Sequence, residues 1–162
     1  MNLSKLFLMQ KTLDERIQKE HNPDKDLIIH KKTLALLVEL GELANETRCF
    51  KYWSKKGPSE RSVIIEEFVD CLHFILSIGI SKNFLNPSLN HIQISNIDLS
   101  LLFLDLNNTI TKFANTQSEE DYNEIFNKFL ILGEALGFSE TEIETAYVYK
   151  NEVNHQRQDE GY

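Results

Sequence analysis

The chain has 162 residues, 41% of them hydrophobic, with 6 glycines and 3 prolines. That length and apolar content fit one folded domain with a buried core and exclude a disordered chain, and the scarcity of glycine and proline favours long helices over a turn-rich β-fold. A formal net charge of −8 argues against direct nucleic-acid binding, which needs a basic face, but leaves room for a nucleotide whose phosphates share metal ions with acids.

Six helices are predicted. The first covers about 2–19, where Leu3, Leu6, Phe7, Leu13 and Ile17 recur near helical spacing. Charges interrupt its apolar run and no cleavage site follows, so it does not read as a signal peptide. HNPDKD (21–26) ends it, and a second helix covers about 25–48. There Glu39, Glu42 and Glu46 fall within an arc of about 60° beside a Leu36/Leu40/Leu43 stripe. CFKYWSKKGPSE (49–60) reads as a connector, with room for a short helical turn before its Gly-Pro.

The third helix covers about 59–82. Ile64, Ile65, Phe68, Leu72 and Ile75 form one broad face, and Val63 and Phe74 flank Glu67 and Asp70. With Glu66, Glu67, Asp70 and His73 inside it, this segment is a poor membrane span. NPSLNHIQISN (86–96) is polar and irregular, and a fourth helix covers about 98–115. Ser118 with Asp121 is a capping box with Asp where Glu or Gln is usual; it opens a fifth helix to about 136, stopped at Gly137. Ser139 with Glu142 is a fuller box and opens a sixth helix through about 157. The expected fold class is all-α, a bundle of about six helices in a single domain over 1–162. Cys49 and Cys71 form no disulfide or zinc pattern and read as small buried hydrophobes. A soluble cytoplasmic protein, with no membrane contact, is the expectation.

Two pairs of acids carry the chemistry. Glu39 and Glu42 are three residues apart, as are Glu67 and Asp70, so each pair shares one helix face. An unpaired carboxylate is costly to bury, so acids in an apolar helix are usually paired, protonated or bound to metal. Clustered carboxylates are hard oxygen ligands suited to Mg²⁺ or Mn²⁺. Two blander readings stand beside this one: a solvated acidic face for Glu39, Glu42 and Glu46, and salt bridges to Lys or Arg for Glu67 and Asp70. A di-iron bundle is disfavoured because no Glu-x-x-His occurs. In the last helix Lys150, Asn154 and Arg157 are spaced i, i+4, i+7, a stripe that can hold a polyphosphate and a base, or simply face solvent. Tyr52 and Trp53 stand among Lys51, Lys55 and Lys56, an arrangement that suits a nucleotide or plain packing.

Glu39-x-x-Glu42 followed by Glu67-x-x-Asp70 resembles the metal signature of the all-α nucleoside triphosphate pyrophosphohydrolases. The strings LVELGELANETRCFKYWSKK (37–56), EEFVDCLHFILSIG (66–79) and YKNEVNHQRQDEGY (149–162), with LFLMQKTLDERI (6–17), narrow the resemblance to the dimeric all-α dUTPases. Residues 84–138 add little to it. The resemblance implies a homodimer, a divalent Mg²⁺ cofactor (Mn²⁺ as substitute), and hydrolysis of dUTP to dUMP and pyrophosphate, with dUDP to dUMP beside it. By position, Glu39, Glu42, Glu67 and Asp70 match metal ligands. Gln10 and Asn154 match uracil-recognising amides, Trp53 a nucleoside-contacting aromatic, and Lys150 and Arg157 phosphate contacts. Asp14 departs from the pattern, in which Asn is expected.

Within that reading Glu42 is the expected general base for the attacking water, and Lys150 and Arg157 counter charge on the leaving group. An amide can both donate and accept, so Gln10 and Asn154 together could read both faces of the uracil imide. Phe74 is a candidate for excluding a ribose 2′-hydroxyl. The alternatives are a MazG-like or dCTPase-like pyrophosphohydrolase of other specificity, and a non-catalytic helical interaction module.

Overall fold

Six helices make up the regular structure among the described residues of the computed structural model, which are 1–21, 23–24, 27–89 and 98–161. They are α1 (Leu3–His21), α2 (Ile28–Thr47), α3 (Arg61–Lys82), α4 (Leu99–Thr116), α5 (Glu119–Ala135) and α6 (Glu140–Asp159). The all-α prediction holds, with every predicted helix present. The predicted start of the second helix, at 25, and most of the irregular 86–96 stretch lie outside the described residues. Residues 49–60 contain turns but no helical turn, so Cys49 sits half-buried after α2 rather than in the core; Cys71 is fully buried. No helix among the described residues is long and apolar enough to cross a membrane.

Helix α3 is the axis of the bundle. It packs against α1, α2, α5 and α6, while α4 covers α2 and α5. Its apolar content explains this position: from Phe68 to Gly79 every residue is buried except Asp70 and Phe74. Those two residues are the open positions of this otherwise buried stretch. The predicted α3 face is largely right, since Phe68, Leu72 and Ile75 are wholly buried, while Val63 is 37% exposed. On α2, Leu36, Leu40 and Leu43 are buried as their spacing requires.

Aromatic packing closes the core. Phe68 stacks on Phe129 with ring centroids 4.2 Å apart and meets Phe138 edge-on at 5.5 Å. Tyr122 is fully buried, and its hydroxyl donates to the Ile75 carbonyl at 3.1 Å. This phenol lies against Gly79: a Cβ there would stand 2.8 Å from Tyr122 Cζ and closer still to the hydroxyl oxygen. Gly79→Ala should therefore cost about 1–3 kcal/mol, the range for overpacking a filled core. Adding Tyr122→Phe removes the closest atom, so the double variant should be less unstable than the sum of the two singles, as read by urea denaturation.

The helix ends follow the local chemistry. Ser139 and Glu142 form the full capping box, and the hydrogen bonds from Ser139 hold the Glu142 carboxyl down at about 2. At Ser118 half of the predicted box forms. Its hydroxyl accepts from Asp121 N–H at 3.1 Å, but the shorter Asp121 side chain turns to Thr116 and to Lys112 Nζ at 2.6 Å. Gly137 has φ +75, and Phe138 N–H returns to the Gly133 carbonyl at 3.0 Å, the glycine-stopped end predicted for α5. Arg48 ends α2 in the left-handed region without glycine, held there as its guanidinium donates to Ser54 Oγ at 2.7 Å and the Lys56 carbonyl at 3.1 Å.

Candidate active site

Helices α2 and α3 aim three acids at one point. Glu39, Glu67 and Asp70 each bring a carboxylate oxygen within 4.8 Å of the others, and all three side chains are half-buried. Like charges so close, held partly out of water, resist ionisation. Burial first, then Asp70, Glu42 and Glu67, push the Glu39 carboxyl up to about 7. Burial, then Asp70 and Glu42, raise Glu67. Burial raises Asp70 as well, against the pull of Lys150. Glu42, the fourth acid of the signature, is exposed and stands outside the converging trio, although its charge acts on both Glu39 and Glu67.

The C-terminal helix supplies the counter-charge. Lys150 is buried, and its ammonium donates to Glu66 Oε1 at 2.7 Å and lies 2.6 Å from Asp70 Oδ2. Burial works against this ammonium, but contact with Asp70 and Glu66 outweighs it and raises the Lys150 pKa. Asn154 and Arg157, further along the predicted stripe, line a cavity of about 510 Å³ whose wall also includes Glu39, Asp70 and Phe74. Carboxylates, a guanidinium and an amide thus share one concave space, the usual form of a small-molecule site.

The opposite wall holds a buried polar network. Gln10 Oε1 accepts from Tyr147 Oη at 2.7 Å and lies 2.7 Å from His73 Nδ1, while Gln10 Nε2 donates to Asp14 Oδ1 at 2.7 Å. Asp14 Oδ2 in turn accepts from Ser77 Oγ at 2.6 Å and pairs with Lys32 Nζ at 3.0 Å. Because an ionised carboxylate can only accept, Asp14 fixes which end of the Gln10 amide points where. His73 Nδ1 must then carry the proton, and burial with the nearby Lys150 cation keeps the ring neutral, its pKa lowered to about 3. The expectation that Gln10 can both donate to and accept from a base is narrowed: both lone-pair directions of its carbonyl are taken, and one N–H remains.

The sequence-predicted residues divide accordingly. Gln10, Glu39, Asp70, Asn154 and Arg157 line the cavity, and Glu67 and Lys150 adjoin it through the acidic cluster. Trp53 does not reach it. Its ring is 65% exposed on the connector, edge-on to Tyr52 at 5.1 Å and Phe50 at 6.0 Å. Phe74 does line the cavity.

The family model for dUTPase matches residues 2–162. The chain belongs to the dUTPase family. Its activity is that of a dUTP diphosphatase, hydrolysing dUTP. The match runs through residues 84–138 as well, the stretch that added little to the resemblance. No curated protein matches the chain. The dUTPase family uses a divalent metal, and the donor set fits one: three carboxylate oxygens with no sulfur or imidazole among them make a hard-cation site.

Sequence reasoning assigned no site role to Glu66, Lys32, Ser77, Tyr147 or His73. No spacing rule links Asp14 to Lys32 or Gln10 to Tyr147; those contacts exist because α1, α2, α3 and α6 converge.

The raised Glu39 pKa makes a stability prediction. A carboxyl whose folded-state pKa lies above its unfolded value costs nothing below the unfolded value and destabilises progressively as pH rises through the folded one. In chelator, the protein should therefore lose stability between the ordinary 4.5 and about 7. Glu39→Gln should flatten that slope and gain about 1–2 kcal/mol at pH 8, a figure discounted for the partial exposure of the group. Melting temperatures at pH 5 and pH 8 check this, and a divalent cation should erase the difference.

Proposed function

We propose that this chain hydrolyses dUTP to dUMP and pyrophosphate, and dUDP to dUMP and phosphate, as a Mg²⁺-dependent cytoplasmic homodimer that limits uracil in DNA. The observation that carries the reading is the convergence of Glu39, Glu67 and Asp70 beside a cavity lined by Asn154 and Arg157. Mg²⁺, or Mn²⁺ in its place, would be held by Glu39, Glu67, Asp70 and, from the rim, Glu42, and would supply positive charge for the phosphate chain and a more acidic water.

The side chains have distinct tasks in this reading. Glu42, the most exposed acid of the signature, takes the proton of the attacking water. Lys150 and Arg157 face the charge that develops on the leaving group. Gln10 gives its remaining N–H to a uracil carbonyl, which leaves Asn154 to accept the imide proton. Phe74 presents bulk where a 2′-hydroxyl would sit. Exposed apolar side chains such as Leu101 and Leu104, 60% and 61% accessible on α4, are available to a dimer interface, and sedimentation tests that part.

The decisive experiment incubates the purified chain with each dNTP and Mg²⁺ and measures pyrophosphate. Release from dUTP alone, abolished by chelator, is the expected result. Equal turnover of dCTP or of a broad set of triphosphates would overturn the specificity and favour a MazG-like or dCTPase-like enzyme.

A further inference from the structure

We infer that Glu66 is a positioning residue for this reaction: it retains the Lys150 ammonium at the acidic cluster when Asp70 passes from Lys150 to a divalent cation. The inference rests on the metal-dependent reading above. Lys150 is the cation already standing among the acids, with a side chain 7% exposed and its Nζ shared between Asp70 and Glu66. Asp70 belongs to the converging trio; Glu66 does not, and its side chain is 55% exposed. The two carboxylates that hold Lys150 therefore differ in kind, one inside the cation site and one on its rim.

A divalent cation on Asp70 repels an ammonium held by the same carboxylate. Cation loading must weaken the Lys150–Asp70 pair. Were Asp70 its one paired anion, a buried lysine displaced from it would be costly to keep, and its ammonium would leave for solvent. Glu66 prevents that. It offers a second carboxylate that the cation does not need, so Lys150 stays beside the cluster with a proton free for a phosphate oxygen. In the cation-free protein the same lysine is the counter-ion that keeps the trio together.

The test uses the full-length protein freed of metal. Mn²⁺ alone is titrated by calorimetry. Lys150→Met should bind it roughly tenfold more tightly than wild type and melt lower without it, because a competing cation and a counter-ion are lost together. Glu66 is then read through a non-hydrolysable dUTP analogue with Mn²⁺ present. Glu66→Gln should weaken analogue binding about five- to tenfold in the wild-type background and hardly at all in Lys150→Met. Unchanged or weaker Mn²⁺ binding by Lys150→Met, or an equal effect of Glu66→Gln in both backgrounds, overturns the inference. A wild-type protein that binds no Mn²⁺ overturns the metal reading as well. Should Lys150→Met not fold, Lys150→Gln keeps polar contact with both acids and serves the same cycle.

Discussion

Glu67→Gln is expected to lower kcat/KM for dUTP by at least about 10³-fold, with Asp70→Asn close to it. Each change removes one anionic oxygen from a set of three that lie within 4.8 Å, and does so without changing side-chain volume. A neutral amide oxygen is a much weaker partner for Mg²⁺ than a carboxylate, so the loss falls on the cation and on everything it organises. The two variants should differ in stability. Glu67 is raised by burial and by its acidic neighbours, so Glu67→Gln relieves repulsion and the cation-free protein should melt higher. Asp70→Asn takes a partner from Lys150, leaving Glu66 as its remaining anion, and should give no such gain. Pyrophosphate release and thermal melts on the same preparations report both quantities. Activity within tenfold of wild type in Glu67→Gln would remove that residue from the site.

The split between what the sequence revealed and what it hid has a physical cause. Helices are local: the 3.6-residue period, the serines at 118 and 139 and the glycine at 137 place α5 and α6 without reference to tertiary structure. The acidic pairs were legible for the same reason, since residues three apart share a face wherever the helix packs. That α2 and α3 would bring Glu39 to Glu67 and Asp70, yet leave Glu42 on the rim, depends on the rotation of one helix against another, which no local period encodes. Trp53 shows the limit more sharply. Its position in the string carries a resemblance, but it sits in a connector without helical restraint, and its ring lies outward. Asp14 departs from the pattern in the sequence alone, and the residue that opposes it, Lys32, stands eighteen positions away on α2.

That pair should be the costliest one to break. Asp14 and Lys32 have side chains 6% and 11% exposed and meet at 3.0 Å, with Ser81 Oγ a further partner for the ammonium at 2.8 Å. Asp14→Ala would leave a buried ammonium without its anion, which costs about 3–5 kcal/mol and should lower the melting temperature by on the order of 10 °C. Removing both charges is a different matter. Asp14→Leu with Lys32→Met replaces the pair by apolar groups of similar size, and buried ion pairs exchanged in this way are often neutral in stability. The double variant should therefore recover most of the loss. It should not recover selectivity, because Gln10 Nε2 loses the acceptor that fixes its amide, and Tyr147 and His73 alone can satisfy either end of it. A stable double variant with a reduced ratio of dUTP to dCTP turnover is the expected result, measured by melting and by pyrophosphate release. If the double variant is as unstable as Asp14→Ala, the ion pair is not what holds this part of the bundle. If its selectivity is untouched, Asp14 does not orient Gln10.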